Sequence, residues 1–565
     1  MKVKIFSTVL ALLVTPILSF SQMVIKGDSL FGNEWIRYNQ TYLKIPIAQD
    51  GIYRLTGAQL ASAGIPLSIA TGEKLRVFRM GREVSLFVST KNTFSDTDFL
   101  EFYGQKNRGE LDSLLYQKGE AEMLNPDFSL FNDTIGYFLT WQETASNSRV
   151  TTVANDLTNV PAKEAWFWHT EKLSFNQFFV NKDFDPSSQG VYLPEFNAGE
   201  GYGSAWSPNF SATLALPQLV NGVGGEMSVR YMTDGGYHQG EYLLNNALIW
   251  RDSLPNFDYR NLKIPLTPAQ MASAMTFNAK GNYETTDYRS IGSVQIKYAR
   301  SFNFDSKNYF EFNIEASNNR KYVEIERFQD ANAVLWDVTN NLRLIPTLEN
   351  GVLKIALPPS VSERKLVLFS STQTPTATPK PIVFEDLTTD GGNFIFITSK
   401  RFMTPQSPLN AYIAHRSAPV GGSYRVKTVD VEQLYEQFGY GVAKNPLAIR
   451  NFIHFIKRKW ASPRYITLIG RGREIDVARQ NVPIDVPTWG YPGSDALLAA
   501  NRTSSIPVIP IGRVAAFTFE ELQIYIDKLK EHEVNQKTAP QTVEARDWYK
   551  NIMFLKRWQQ RTRPD

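Results

Sequence analysis

The five histidines, His169, His238, His415, His454 and His532, are the side chains of this 565-residue sequence best suited to moving protons near neutral pH. No two of them stand at metal-ligand or triad spacing. His454 falls off the apolar stripe of its helical pattern, and His532 sits near a predicted helix C-terminus, where a cation is favoured. Each therefore reads as structural or surface. There is no cysteine, which removes disulfides, thiolate metal sites and a thiol nucleophile from these 565 residues. Gly470-Arg471-Gly472 follows an apolar run, the place where open α/β sheets bind ligands. Ile475 stands where a dinucleotide fingerprint needs its third glycine, and no Gly-Lys-Ser/Thr follows. The loop is read instead as one needing positive φ after a strand. Asp495, in GYPGSDALLA, is either a site carboxylate near strand ends or, with Ser494, the turn and cap of a short segment. The clusters AWFWHT and LSFNQFFV suit a glycan or peptide platform, or simply a β core. No catalytic, cofactor-binding or metal-ligating residue is assigned, and no cofactor is expected.

The elements that would position these groups come in two styles. From about Met23 to Phe369, short alternating runs such as TYLKIPI, KLRVFRM, GYFLTW, GEMSVRYMT and SVQIKYA are punctuated by Gly, Pro, Asn and Asp. Period-2 alternation at this spacing predicts stacked antiparallel sheets. One short helix is expected over Thr56 to Ala63, capped by Thr56 and ended by Gly64. After the Ser/Thr/Pro stretch SSTQTPTATPKP the pattern changes. NFIFIT, YRVKTV, YITLIG, PVIPIG and NIMFL read as strands, most of them apolar on both faces. Between them lie helices from Leu409 to His415, after Asp430, from Asn445-Pro446, and from Thr518, whose capping box is completed by Glu521. The Asn445 helix carries an apolar stripe of Ile449, Phe452, Ile453, Ile456 and Trp460, and the Thr518 helix one of Leu522, Tyr525, Ile526 and Leu529. Buried strands alternating with amphipathic helices predict an α/β domain with a largely parallel sheet.

The expected organisation is multidomain, with a β-rich, antiparallel sandwich-like N-terminal region followed by an incomplete α/β domain. Its boundaries are a signal peptide at 1–21, β-rich units at 22–160 and 161–369, a linker at 370–385, the α/β part at 386–555 and a separate tail at 556–565. The opening residues carry Lys2 and Lys4, an apolar run to about Leu18 and small residues at Ser19 and Ser21, the pattern of an export signal. No later run is long enough for a transmembrane helix. The formal charge of +4 includes +2 from Lys2 and Lys4 and +3 from the last ten residues, leaving −1 for residues 22–555. No nucleic-acid partner is indicated.

Specific strings add more. FGYGVAKNPLAIRNFIHF, RYITLIGRGREID, VPTWGYPGSDALLA and IPVIPIGRVAAFTFEELQIYIDKLKEHE resemble the gingipain-type cysteine peptidases. They are most similar to the large exported members tied to type IX secretion, including the sortase-like component. YLKIPIAQDGIYRLT, FSDTDFLEFYG and NDTIGYFLTW are similar to the β-rich region preceding the peptidase domain in those proteins. The resemblance implies a caspase-like fold for the α/β part. It also implies cysteine endopeptidase activity, with a histidine followed by Gly and a later cysteine, each after a sheet strand. No position in this chain receives either role. Arg471 stands where gingipains proper carry Asp, so their substrate preference is not carried over.

Lys556, Arg557, Arg561 and Arg563 follow NIMFL abruptly, where the family has a Gly-rich segment. Read one base later, Trp558 followed by Gln559 always encodes glycine. The expectation is a frameshifted or mis-called end of a longer gene, against the alternative of a true basic terminus. The chain would then be the N-terminal portion of an exported endopeptidase, inactive as this fragment, placed in the periplasm, at the cell surface or outside the cell. Its expected partners are protein or peptide substrates in the full-length form and other secretion-system components. The competing expectation is a non-catalytic exported β-rich binding or scaffold protein of the secretion machinery.

Overall fold

The computed structural model describes residues 23–25, 28–181, 194–282, 287–501, 504–547 and 551. The expected signal peptide, the basic tail and all of NIMFL after Asn551 lie outside the described residues.

The first β-rich part is built on two sheets. Five strands pair in the order Lys380–Ile382, Tyr42–Ile47, Ile135–Trp141, Leu75–Arg79, Arg82–Val84, and three in the order Gly51–Thr56, Phe99–Gly104, Leu86–Val88. All of these pairings are antiparallel. Helix α1 (Gly57–Ser62) follows directly, with the Thr56 side chain accepting from the Gln59 N–H and the Gln59 side chain answering to the Thr56 N–H. That reciprocal cap is worth about 1 kcal/mol to so short a helix. The Ser/Thr/Pro stretch is not a free tether. Ser370 ends the strand Arg364–Ser370, Pro375 packs on Gly51, and Lys380–Ile382 closes the first sheet against Tyr42–Lys44.

Residues 161–369, read as one β-rich unit, hold two separate sandwich cores. One lies between the sheet of β1 (Phe167–Ser174), β2 (Gly225–Thr233), β3 (Tyr259–Leu266) and β4 (Arg289–Arg300), in the order β1-β4-β2-β3, and a second four-stranded sheet over 209–281. Met227, Val229, Phe277, Val294 and Ile296 fill it. The other core gathers Phe304, Phe310, Phe312, Leu335, Ile355 and Leu368. Among the described residues the expected antiparallel pattern holds for most strand pairs, but Thr151–Thr152 pairs parallel with Leu342–Arg343, Asn303–Lys307 pairs parallel with Glu326–Phe328, and Leu86 and Arg149, and Lys163 and Tyr322, form isolated parallel bridges.

The α/β part carries β5 (Phe394–Thr398), β6 (Val426–Asp430), β7 (Tyr465–Ile469) and β8 (Ile511–Val514), all parallel, in the order β6-β5-β7-β8. Its longer helices are α2 (Leu409–Ser417), α3 (Val431–Phe438), α4 (Pro446–Lys459) and α5 (Phe519–Thr538). The start signals fall where the sequence places them: Asp430 caps α3, Asn445 caps α4 with Pro446 in its first turn, and Thr518 and Glu521 form a capping box on α5. Two expectations need correction. The strand assigned to PVIPIG begins only at Ile511, because Pro507 and Pro510 have no N–H for a ladder and Ile506 is exposed. On α5, Leu522 and Ile526 are buried but Tyr525 is exposed, so the inner stripe is narrower than its apolar residues suggest.

The first β-rich part and the α/β part share one core. Leu43, Ile45 and Leu139 belong to the same cluster as Ile395, Phe438 and Phe452. Polar groups seal the seam. Tyr38 Oη donates to Gln437 Oε1 at 2.9 Å, Lys44 pairs with Glu436, and Asn445 Nδ2 donates to the buried Asp112 at 3.1 Å.

Candidate functional site

In chain order the parallel sheet runs β5, β6, β7, β8, but in space β6 and β7 lie on opposite sides of β5. Connections therefore leave in opposite directions at β5 and β7, opening a crevice at the carboxyl ends of those strands. The Thr398 hydroxyl donates to the Ile469 carbonyl at 2.9 Å and ties the two strand ends together. Beyond it, Asp485 closes the crevice floor. Its carboxylate accepts from Ser399 Oγ at 2.9 Å, from the Arg471 N–H at 2.8 Å, and from Arg401 through Nε at 2.5 Å and a terminal nitrogen at 2.6 Å. Burial pushes the Asp485 carboxyl up, but the bonds from Arg401, Arg471 and Ser399 outweigh it and hold the group below its usual range.

Gly470 makes this approach possible. Its φ is +115°, and a Cβ there would lie 2.4 Å from the Asp485 Cβ. Of the Gly470-Arg471-Gly472 readings, the geometry matches the positive-φ loop. Arg471 and Arg401 flank the partly exposed Phe517 ring at 4.4 and 5.4 Å, and Arg401 also donates to the Phe517 carbonyl. Asp495 is gripped by Arg513 of β8 through two bonds of 2.8 and 2.6 Å, and the same guanidinium holds the Gly470, Val486 and Pro487 carbonyls. Asp495 thus anchors a loop, its turn role supported by the Leu497 N–H bonded to Ser494 Oγ. At the end of β6, Asp430 caps α3 through one oxygen, and its other oxygen lies 3.7 Å from Lys400 Nζ. Burial raises its carboxyl pKa.

None of the five histidines reaches this crevice. His415 on α2 bonds Glu533 of α5 at 2.7 Å and His454 on α4 bonds the Ala500 carbonyl at 3.1 Å. Burial lowers the His454 pKa, keeping it neutral. His169 faces Glu171 at 3.2 Å in the sandwich region, and His238 is buried there between Asp287 and the Asp234 carbonyl. His532 is on the exposed part of α5. Ser399, whose hydroxyl reaches Asp485 at the crevice floor, gives its proton to an ionised carboxylate and has no imidazole base, so it is not an activated nucleophile. Among the described residues no group of three or more His, Cys, Asp or Glu could hold a metal ion. The arrangement can rigidify strand-end loops and present Arg401, Arg471 and Lys400 to a ligand.

Sequence reading missed Asp485 and Arg401. The available signal was an acid isolated between prolines in VPIDVP, with a basic SKRF segment just after a buried strand. The aromatic cluster AWFWHT divides: Phe167 is core, whereas Trp166 and Trp168 stack edge to face on the outside of β1.

Residues 388–564 match the family described as Peptidase family C25, which bears out the gingipain-type resemblance for that part of the chain. Over a longer stretch the fold is similar to that of dimeric latent PorU from Porphyromonas gingivalis, with a TM-score of 0.59 at 14% identity. That likeness covers 89% of this chain and 50% of the PorU chain, so this chain spans about half the length of that structure. At this identity it shows the fold alone. The CBM36-1 domain of a multidomain xylanase from the Trinervitermes trinervoides hindgut metagenome covers 23% of this chain and 96% of its own, at 7% identity. Its TM-score of 0.15 carries no argument. No curated protein matches the chain.

Proposed function

We propose that this chain is the N-terminal portion of an exported gingipain-type cysteine endopeptidase linked to type IX secretion. The observation that carries the reading is the family C25 match over 388–564, which falls on a four-stranded parallel sheet with a crevice at its switch point. The 565 residues contain no cysteine, so the thiolate and its histidine base belong to a further part of a longer protein, and these residues supply scaffold and loop platform. Protein or peptide segments are its substrates in that longer form, and other secretion-system components are its partners. The domain division given above and the export signal belong to the same proposal. No helix among the described residues is long and apolar enough to cross a membrane.

Two measurements test it. A thiol-directed peptidyl chloromethyl ketone should label nothing on the 565-residue chain, and stoichiometric labelling would refute inactivity. Genomic sequence beyond the Lys556 codon should encode an apolar run ending in His-Gly and later a second ending at Cys, in one of the forward frames. Non-coding sequence there would leave the competing reading, a non-catalytic scaffold protein.

A further inference from the structure

Trp166 and Trp168, at the start of β1, are half-buried and belong to neither of the two sandwich cores beside them. Their ring centroids lie 4.9 Å apart with the planes at 73°, so the two indoles form a corner. An open-sided groove of about 420 Å³ runs along that corner, between the chain at 162–165 and the end of the strand Tyr309–Ile314. The buried side chains of Phe167 and Ile314 lie beneath it. Trp168 is fixed in place: its indole N–H donates to Glu315 Oε1 at 3.2 Å, and Lys297 Nζ sits over one face of its ring, 5.1 Å from the centroid. Trp166 is left as the second aromatic wall. Glu315 and Asn313, both exposed, border the groove. Glu315 uses one oxygen on Trp168 and Asn313 uses an amide hydrogen on Glu363 at 2.8 Å, which leaves a carboxylate oxygen and an amide carbonyl for another molecule.

Aromatic surface that no core uses, beside a few polar groups in a groove, is the composition of a ligand site. The charges in the wall say what kind. Lys163 and Lys321 stand against Glu164 and Glu315, and Lys321 is already paired with Glu164 at 3.2 Å, so the groove favours neither an anion nor a cation. The ligand is therefore neutral, with an apolar face for the indole and hydroxyl donors for Glu315. A pyranose ring has both: C–H hydrogens on its face, drawn to the negative face of an indole, and hydroxyls at its rim that donate to a carboxylate and exchange bonds with an amide. Equatorial hydroxyls leave that face unbroken, which selects the gluco configuration. A proline-rich peptide, the other neutral partner of aromatic grooves, brings carbonyl acceptors and leaves the Glu315 oxygen unmet. The volume equals about fourteen waters at ~30 Å³ each, room for a sugar ring with its hydroxyls.

We propose that this groove binds a neutral gluco-configured pyranose of a glycan, its C–H face on Trp166 and its hydroxyls on Glu315 and Asn313. None of these residues belongs to the crevice of the parallel sheet, and the reading does not depend on the peptidase assignment.

The probes are cellotriose, laminaritriose and maltotriose, which present the same ring through different linkages, titrated calorimetrically into the full chain at pH 7. Sorbitol, which has the hydroxyls without the ring, and a decaproline peptide are the comparators. At least one trisaccharide should bind saturably with a dissociation constant of about 0.1–1 mM, as befits an open groove and a small ligand. Saturation-transfer NMR should then show the protons of one ring face receiving more saturation than those of the other. Trp166→Ala should weaken binding at least tenfold. Ala165→Arg places a long side chain at the groove from an exposed position, and should abolish binding while leaving the melting temperature unchanged. Absence of saturable binding by all three trisaccharides, up to about twentyfold above that range, overturns the proposal. So does sorbitol or decaproline binding as tightly as the best trisaccharide, or undiminished binding in Trp166→Ala or Ala165→Arg.

Discussion

Replacing Asp485 by alanine removes the acceptor that holds three segments at the crevice floor. The Arg471 N–H and the Ser399 hydroxyl lose charge-assisted bonds of about 1.5 kcal/mol each, the low end for such pairs. Arg401, whose side chain is 40% exposed, returns to water and loses less than about 1 kcal/mol. The local cost is therefore about 3 kcal/mol, a rise of roughly a hundredfold in opening of the strand-end loop. Hydrogen exchange read by mass spectrometry on a peptide covering residues 465–489 measures it directly, and peptides from the sandwich cores serve as internal controls. The sign with pH is fixed by the depressed carboxyl. Its stabilisation is present above the unfolded value near 3.9 and is lost as pH falls through the lower folded value. The variant and parent should thus keep their full difference from pH 7 down to about 4 and draw together only below it. Unchanged protection in Asp485→Ala at pH 7, or a difference that stays constant down to pH 3, would refute the clamp.

Gly470→Ala should destabilise the α/β part by about 1–3 kcal/mol in urea, through positive φ and the clash with Asp485, whereas Gly512→Ala, with no heavy atom within 4 Å of its Cβ, should change little. Asp112, buried at the seam, has its carboxyl pushed up to about 6 by burial, against bonds from the Leu130 N–H and Ser129. The native state then holds that proton more tightly than the unfolded chain. Stability is full below about pH 4 and falls as pH rises to about 6, by roughly 3 kcal/mol for two units. Between pH 4 and 7 the difference in unfolding free energy should move in favour of Asp112→Asn by about 2–3 kcal/mol. Asn445→Ala removes the α4 cap and its bond to Asp112, and should cost about 1–3 kcal/mol by thermal or urea unfolding.

Much of the fold could be read from local chemistry. Thr56, Asn445-Pro446 and Thr518 with Glu521 announce helix starts within a few residues of sequence, and the switch from alternating to continuous apolar runs near residue 393 marks where the sheet becomes parallel. Failures came where the deciding partner is remote. PVIPIG is apolar enough for a strand, but its prolines remove ladder donors. The Ser/Thr/Pro stretch lacks any core-forming pattern, yet its end is a strand because Tyr42–Lys44 offers an edge. Tyr525 is apolar in the right period yet stays 38% exposed, its ring at the rim beside Tyr412, while Leu522 and Ile526 fill the core and Leu529 packs on its edge. At the crevice, the loop glycine was legible from its position after a strand. Asp485 was harder to read, because its partner Arg401 lies 84 residues away and the prolines of VPIDVP and the basic SKRF segment mark each residue without joining them. The separation of 161–369 into two cores depends on which sheets face each other, which periodicity does not encode.

The seam between the first sheet and the α/β part sets an order of events. Tyr38 waits for Gln437, 399 residues later, and the edge of Tyr42–Ile47 stays bare until Lys380–Ile382 has been made. A chain emerging from its N-terminus therefore exposes an unfinished sheet for most of its synthesis, open to wrong pairing. The late-made region covers the early one, and severing the chain between residues 141 and 380 leaves a four-stranded sheet with the Tyr42–Ile47 edge open.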